Sequence, residues 1–328
     1  MRIFKRVLKL LLVLLIVLAL FPRPKYQEEN IWLKKNNDNK TLVMAHAGGK
    51  GVYPGNTLKA FEYSYNIGVD VLEIDVQMTL DNVLVLRHGE NDTGNIRSMS
   101  NCDTVIWKET YTYLYDNCNF GYNYEDASGD FPYRDMTQSE WVDAGVYMTT
   151  LEEIFTAFGD DILYIIEIKA DADAPRTETA DALVSLIELY DLRDFVVVAT
   201  SFEEISDYIT VTYPETVQSA SHDDAYDMVI STYTFTSLFF EPGNNSSLQI
   251  PTSEGVPIIN ELSLATRLLV SNVHRHNMAV HYWTINDPEE MRKLIEIGAD
   301  GIITDDPELL MSIIDSNWIE RWCLYGIY

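Results

Sequence analysis

The chain has 328 residues, which is enough for one large α/β domain or two small ones. It carries 51 acidic residues against 23 basic ones, so its formal net charge at pH 7 is −28. Such a surface repels nucleic acid and anionic membranes at long range, which argues against a nucleic-acid-binding function. The charge is compatible with the binding of divalent cations, and equally with solubility alone.

The N-terminus combines basic residues with an apolar run from Leu10 to Phe21. This pattern is typical of an export signal, and the segment is long enough to span a membrane when it is counted from Ile3. We therefore predict a single-pass transmembrane signal anchor at residues 1–21, with a cleaved signal peptide as the alternative. Because more basic charge precedes the run than immediately follows it, the globular part is expected on the extracytoplasmic side of the cell membrane. Residues 22–40 are polar and are predicted to be a tether.

Strand and helix patterns alternate from residue 41 onward. The predicted strands are Thr41–Ala45, Val71–Val76, Val83–Leu86, Leu163–Lys169, Phe195–Ala199, Val217–Ser221, Met228–Ser231, Val256–Ile259, Met278–Trp283 and Gly301–Thr304. The predicted helices lie between Thr57 and Gly68 and over residues 150–158, 178–190, 262–277 and 288–297. About eight strand–helix units in about 280 residues predict a TIM-type (β/α)₈ barrel. A doubly wound open sheet is the alternative, although no G-x-G-x-x-G follows any strand.

Residues 90–145 differ from the rest of the chain. They are rich in Tyr, Asn, Asp and Gly and show weak periodicity, so we predict an insertion packed over one end of the barrel rather than a separate domain. Cys102 and Cys118 both lie in this stretch and could pair outside the cytoplasm, although the sequence alone does not pair them. The chain has no C-x-x-C motif, which argues against a zinc–thiolate site.

Two carboxylates interrupt the apolar strand Val71–Val76. Glu73 and Asp75 are two residues apart, so a strand directs both side chains to the same face. Two like charges a few ångströms apart are costly inside a protein unless a positive charge neutralises them. A divalent cation is the commonest solution for an all-oxygen site, so we predict that these two residues bind a metal ion.

Further polar side chains stand at the C-terminal ends of predicted strands, where barrel enzymes carry their active sites. They are His46, His88, Glu167 and Lys169. A third carboxylate completes an oxygen shell suited to Mg²⁺ or Ca²⁺, while Lys169 supplies positive charge to a phosphate. Two histidines suit general base and general acid catalysis, because their pKa values lie near working pH. The set predicts a phosphodiester-cleaving site; for Glu167 and Lys169 alone, a buried ion pair is the alternative.

Seven short motifs occur in an order that resembles the glycerophosphodiester phosphodiesterase family. They are Ala45-His-Ala-Gly48, Tyr53-Pro-Gly-Asn-Thr-Leu58, Glu73-Ile-Asp-Val76, Leu84-Val-Leu-Arg-His88, Glu167-Ile-Lys169, Trp283-Thr-Ile-Asn286 and Gly301-Ile-Ile-Thr-Asp305. The resemblance runs from about residue 42 to 310 and implies a barrel, which we place at residues 41–316, followed by a C-terminal tail over 317–328. It also implies metal-dependent hydrolysis of glycerophosphodiesters to glycerol 3-phosphate and an alcohol.

The resemblance assigns a role to each candidate residue. His46 and His88 would be the catalytic pair, acting on a phosphodiester that the substrate glycerol's own hydroxyl attacks. The metal ligands would be Glu73, Asp75 and Glu167. Lys169 would bind the phosphate, and Trp283 would line the substrate pocket.

Three positions depart from the family pattern. Ala47 stands where the family has a phosphate-contacting arginine, Gly55 where it has a glutamate, and Gly89 where it has an aspartate. Arg87 is a candidate substitute, but a strand neighbour of the inward-facing His88 is expected to point away from the site.

The departures leave three functional hypotheses open. The first is a glycerophosphodiester phosphodiesterase acting on a small-molecule substrate. The second is a phospholipase D-like enzyme acting on lysophospholipids or a teichoic-acid-type polymer, and the third is a non-catalytic binder of a glycerophosphate headgroup.

Overall fold

The computed structural model describes residues 2–20, 30–90, 94–169, 173–237, 240–255 and 262–325. Its strands are β1 (Leu42–Ala45), β2 (Val71–Met78), β3 (Leu84–Leu86), β4 (Leu163–Ile168), β5 (Val196–Ala199), β6 (Gln218–Ser219), β7 (Asn245–Ile250), β8 (Ser253–Glu254), β9 (Leu262–Ser263), β10 (Ala279–Tyr282) and β11 (Gly301–Thr304). Eight of them pair in parallel in the order β1-β2-β4-β5-β6-β7-β10-β11, and β11 pairs with β1. This pairing closes the sheet, so the predicted barrel is confirmed and an open sheet is excluded.

Helices surround the barrel and follow most of its strands. They are α1 (Arg2–Leu20), α2 (Leu58–Ile67), α3 (Tyr111–Asn117), α4 (Gln138–Asp143), α5 (Leu151–Phe158), α6 (Arg176–Leu189), α7 (Glu203–Thr212), α8 (His222–Tyr233), α9 (Arg267–Arg275), α10 (Pro288–Ile297) and α11 (Pro307–Tyr325). The signals for α2 act as predicted, because the Thr57 hydroxyl caps its start and Gly68 ends it in the left-handed conformation. Helix α11 continues beyond residue 316, where the sequence predicted a tail.

In the second half of the chain one predicted strand is wrong, one strand was missed, and the helix predicted over residues 262–277 begins only at Arg267, after β9. Met228–Ser231, predicted as a strand, lies inside α8, because a short apolar run does not distinguish a strand from the buried face of a helix. Strand β7 was missed, because polar residues at Asn245, Ser247 and Gln249 remove the apolar pattern of a barrel strand. The predicted strand Val256–Ile259 lies outside the described residues.

The insertion forms a small lobe beside β3, which pairs antiparallel with the outer part of β2. Its own apolar core includes Ile96, Ile106, Leu114 and Phe120. A disulfide joins Cys102 to Cys118 across 16 residues of this lobe, with a Cα–Cα distance of 5.6 Å. The pairing considered from the sequence is therefore present, and it holds together a region with little regular secondary structure.

The polar segment predicted as a tether instead closes the N-terminal end of the barrel over its described part, residues 30–40. Trp32 is only 3% exposed and packs, together with Leu33, against apolar side chains of the barrel interior. The Asn30 side chain donates hydrogen bonds to the carbonyls of Ser246 and Asn277, each at 2.7 Å. The tether prediction is wrong for residues 30–40. Most residues of this segment are polar, but Trp32 and Leu33 are apolar and fill the end of the barrel.

The N-terminal helix α1 covers most of the predicted signal anchor. Across the described residues, no helix combines the length and the apolar character that crossing a membrane requires. The prediction of a transmembrane anchor at residues 1–21 therefore lacks structural support.

Candidate active site

Three carboxylates meet at the C-terminal end of the barrel. Glu73 and Asp75 face its interior from β2, because the residues between and beside them pack against the helices. The parallel register of β2 and β4 sets Asp75 directly beside Glu167. One oxygen from each of the three side chains lies within 4.8 Å of the others. The sequence-predicted metal ligands are thus brought together, and their oxygen donors fit a hard divalent cation such as Mg²⁺ or Ca²⁺.

The electrostatics of this cluster also favour a cation. Burial, reinforced by the charge of Asp75, raises the pKa of Glu73 to about 7, and burial raises the pKa of Glu167. Lys169 lies 2.8 Å from an oxygen of Glu167 and 3.9 Å from one of Asp75. A single ammonium therefore faces three carboxylates, which leaves the cluster short of positive charge.

Backbone and amide donors fix the orientation of two of these carboxylates. The Ala47 N–H donates to Glu73 Oε2 at 2.8 Å, and the Asn56 side chain donates to Asp75 Oδ2 at 2.8 Å. Ala47 reaches this position in a tight turn with φ of 48°, an unfavourable conformation for a residue with a Cβ. The turn after β1 thus positions ligand groups on β2.

His46 follows β1 and pairs with a residue that follows β11. The register sets Ala45 opposite Thr304, so His46 and Asp305 are the next positions of neighbouring strands. The His46 Nδ1 lies 2.6 Å from Asp305 Oδ1, while Asn286 donates to Asp305 Oδ2 at 2.8 Å. Burial lowers the pKa of His46, but the hydrogen bond with Asp305 and the charge of Glu73 outweigh it, so the net shift is upward. On the other side, His46 Nε2 lies 4.0 Å from Glu73 Oε2.

His88 enters the site from the loop after β3. Its Nδ1 donates to the carbonyl of Gly89 at 2.9 Å, which fixes the orientation of the ring. Gly89 has φ of 86°, and a Cβ there would lie 2.8 Å from the backbone of Gly94. A side chain at position 89 would therefore be strained and would clash with Gly94, which agrees with the glycine found there.

Arg87 points away from the carboxylates, as the strand pattern predicts. Its guanidinium is buried, donates to the carbonyls of Gly55 and Asn56, and lies 4.4 Å from the Phe120 ring centroid. Burial lowers the pKa of Arg87 to about 9. Arg87 therefore supports the loop that carries Asn56 and is not available to a phosphate in the site.

A largely apolar cavity of about 420 Å³ opens beside the carboxylates. Glu167 lines one side of it, and Trp283, 45% exposed, lines another. Its other apolar lining residues include Ala199, Ala220, Val229, Ile230, Ile250 and Leu264. The sequence-predicted pocket residue Trp283 thus adjoins the carboxylate cluster through this cavity.

Residues 46–309 match the sequence profile of the glycerophosphoryl diester phosphodiesterase family. The chain belongs to this family. A glycerophosphodiester phosphodiesterase of Caldanaerobacter subterraneus is 26% identical over 84% of this chain and 98% of its own length, and a human lysophospholipase D is 22% identical over 83% and 85%. A phosphodiesterase of Oleispira antarctica, solved with its product sn-glycerol-3-phosphate, has the same fold, with a TM-score of 0.60 and 20% identity over 85% and 98% of the two chains. The predicted class, a phosphoric diester hydrolase, is therefore confirmed.

The structure brings all seven sequence-predicted site residues to one end of the barrel, and it adds residues that sequence reasoning missed. The sequence assigns Asp305 and Asn286 no role beyond their motifs. Both follow C-terminal strand ends, the same signal that selected His46. The sequence likewise assigns Asn56 no role beyond its motif, whereas its side chain donates a hydrogen bond to Asp75.

Proposed function

We propose that the chain is a metal-dependent phosphodiesterase that hydrolyses glycerophosphodiesters to glycerol 3-phosphate and an alcohol. The observation that carries this proposal is the convergence of three carboxylates, within 4.8 Å, beside a lysine and two histidines. Glu73, Asp75 and Glu167 would hold one Mg²⁺ or Ca²⁺ ion. When bound, that ion supplies Lewis acidity to the phosphoryl group.

The chain's own residues would supply the proton transfers. His46, whose Nδ1 contacts Asp305, would exchange a proton with substrate through Nε2, and His88 would be the second proton-transfer group. One histidine would take the proton of the attacking hydroxyl, and the other would give a proton to the leaving alcohol. Lys169, held by two carboxylates, would orient toward the phosphate when the metal relieves them of charge.

Product release tests this function directly. The purified full chain, supplied with Mg²⁺ or Ca²⁺, is expected to release glycerol 3-phosphate from glycerophosphocholine. His46→Ala should abolish the release, because the ring that exchanges the proton is gone. Turnover that survives this substitution would refute the assignment, and binding of glycerol 3-phosphate without turnover by the unsubstituted chain would favour a non-catalytic binder.

The apolar cavity favours a second candidate, hydrolysis of lysophospholipids. An acyl chain would occupy the cavity between Glu167 and Trp283 while the phosphate lies over the carboxylates. Trp283→Ala should then lower kcat/KM for lysophosphatidylcholine more than for glycerophosphocholine. Val211→Ala, on an exposed position of α7, is the matched control. An equal loss on both substrates would contradict this candidate.

We propose further that the chain acts outside the cytoplasm. The disulfide between Cys102 and Cys118 supports this location, because such bonds persist in oxidising compartments. The basic, apolar N-terminus supports an export signal that either remains as a membrane attachment or is cleaved. External protease should digest the chain on intact cells, and the mass of the recovered protein distinguishes cleavage from retention. Full protection in intact cells would contradict export.

A further inference from the structure

The basic side chains around the carboxylate cluster mostly contact protein groups already. Lys169 is held by Glu167 and Asp75, and Arg87 is buried under the loop that it supports. Among the described residues next to His46, one further cation lies at the rim of the site. This is Lys50, whose side chain is 46% exposed and lies on the loop that follows β1.

Contacts with Asp305 place the Lys50 ammonium at the catalytic histidine. Its Nζ lies 3.7 Å from Asp305 Oδ1, and the same oxygen lies 2.6 Å from His46 Nδ1. The two distances share one atom, so the ammonium is at most about 6.3 Å from His46 Nδ1. A partly exposed pair of this length is weak, and the lysine stem is flexible. The ammonium can therefore leave Asp305 for a stronger anionic partner nearby.

The absence of a side chain at position 55 makes room for the Lys50 stem. A Cβ built on Gly55 would lie 2.7 Å from Lys50 Cβ and 3.1 Å from Ala47 Cβ. The first distance is shorter than real Cβ contacts allow, so any larger residue at position 55 would displace Lys50 or the loop. Gly55 and the small Ala47 thus permit the position that Lys50 occupies.

We propose that Lys50 binds the substrate phosphate from the rim of the site. This inference rests on the proposed phosphodiesterase function for the identity of the ligand. Lys50 would supply a charge-assisted hydrogen bond to a non-bridging phosphate oxygen while His46 exchanges a proton through Nε2. The second phosphate contact of this chain then comes from a loop rather than from the residue directly after His46.

Binding of glycerol 3-phosphate tests the role of Lys50 separately from turnover. In calorimetry of the full chain with Mg²⁺ or Ca²⁺, Lys50→Met should raise the Kd for glycerol 3-phosphate about 10-fold or more. In the turnover assay, KM should rise with a smaller change in kcat. Lys293→Met, which removes the same charge from an exposed position on α10, should leave both values unchanged. An unchanged Kd in Lys50→Met would overturn the proposal.

Gly55→Ala tests the role of Lys50 by a second, independent substitution. By displacing the Lys50 stem it should raise the Kd for glycerol 3-phosphate, and it should add little to the effect of Lys50→Met in the double variant. Full additivity would show that Gly55 does not act through Lys50 and would contradict the steric argument. Kd is measured without turnover, so the two proposals can fail separately. A chain that binds product through Lys50 but does not hydrolyse substrate would refute the proposed function and leave the role of Lys50 in phosphate binding intact.

Discussion

Glu73→Gln should stabilise the metal-free protein while removing its metal site. Glu73 is buried beside Asp75, and its pKa is raised from 4.5 to about 7. Glutamine has the same shape and can still accept the hydrogen bond from the Ala47 N–H. The substitution therefore removes one buried charge with little change in packing.

The expected change in the free energy of unfolding follows from the shift in the pKa of Glu73. Each pKa unit corresponds to about 1.36 kcal/mol, so the shift costs the folded state about 3 kcal/mol once the carboxyl is ionised in both states. Below pH 4.5 the carboxyl is protonated in the folded and the unfolded chain, and no cost arises. As pH rises from 4.5 to 7, the folded state retains a proton that the unfolded state has lost, so stability falls. Above pH 7 the full cost remains.

Chemical denaturation of the metal-free chain at several pH values measures this effect. At pH 8, Glu73→Gln should raise the free energy of unfolding by about 3 kcal/mol, whereas near pH 4.5 the two proteins should be similar. With metal at about 100 times its Kd the difference should nearly vanish, because binding stabilises the unsubstituted chain by about 2.7 kcal/mol. Glu62→Gln, on the exposed face of α2, is the control. A Glu73→Gln variant that is less stable than the unsubstituted metal-free chain at pH 8 would refute the reasoning.

Three further predictions concern other parts of the chain. Trp32→Ala should lower the free energy of unfolding by about 3–5 kcal/mol in chemical denaturation, because it empties the N-terminal end of the barrel. Replacing Cys102 and Cys118 together by serine should cost about 3 kcal/mol in the same assay, as expected for a loop of this length. Asp305→Ala should lower kcat for glycerol 3-phosphate release about 10-fold or more with less change in KM, because His46 loses the partner that orients its ring.

Each of these predictions has a result that would contradict it. A change below about 1 kcal/mol for Trp32→Ala would mean that residues 30–40 do not close the barrel in solution. Serine at both cysteine positions with no loss of stability would argue that the disulfide does not form. For Asp305→Ala, a rise in KM at constant kcat would assign Asp305 to substrate binding rather than to orientation of His46.

The candidate site at the C-terminal end of the barrel was largely predictable because its signal is local. On β2, an alternating strand with two inward carboxylates needs a buried cation whatever the rest of the fold does, and Glu167 with Lys169 repeats that pattern on β4. Strand β11 and helix α10 were also predicted at their observed bounds, since a capping Asp287 and a terminal Gly298 mark the helix.

The remaining features depend on contacts distant in sequence. Asp305 meets His46 across 259 residues, through a pairing between the first and last barrel strands that no local pattern contains. Strand β7 directs Ser247 and Gln249 into the barrel, so the inward face that should be apolar is polar. Trp32 and the Lys50 ammonium likewise gain their roles from tertiary neighbours, which composition and periodicity do not specify.

The central claim is that one divalent cation, held by three carboxylates, is required for phosphodiester hydrolysis. The most direct measurement is glycerol 3-phosphate release from glycerophosphocholine by the full chain, first in excess chelator and then after stepwise return of Mg²⁺ or Ca²⁺. The predicted result is no product in chelator and full activity at one bound ion per chain, with none regained by Asp75→Asn. Release that continues undiminished in chelator would contradict the account.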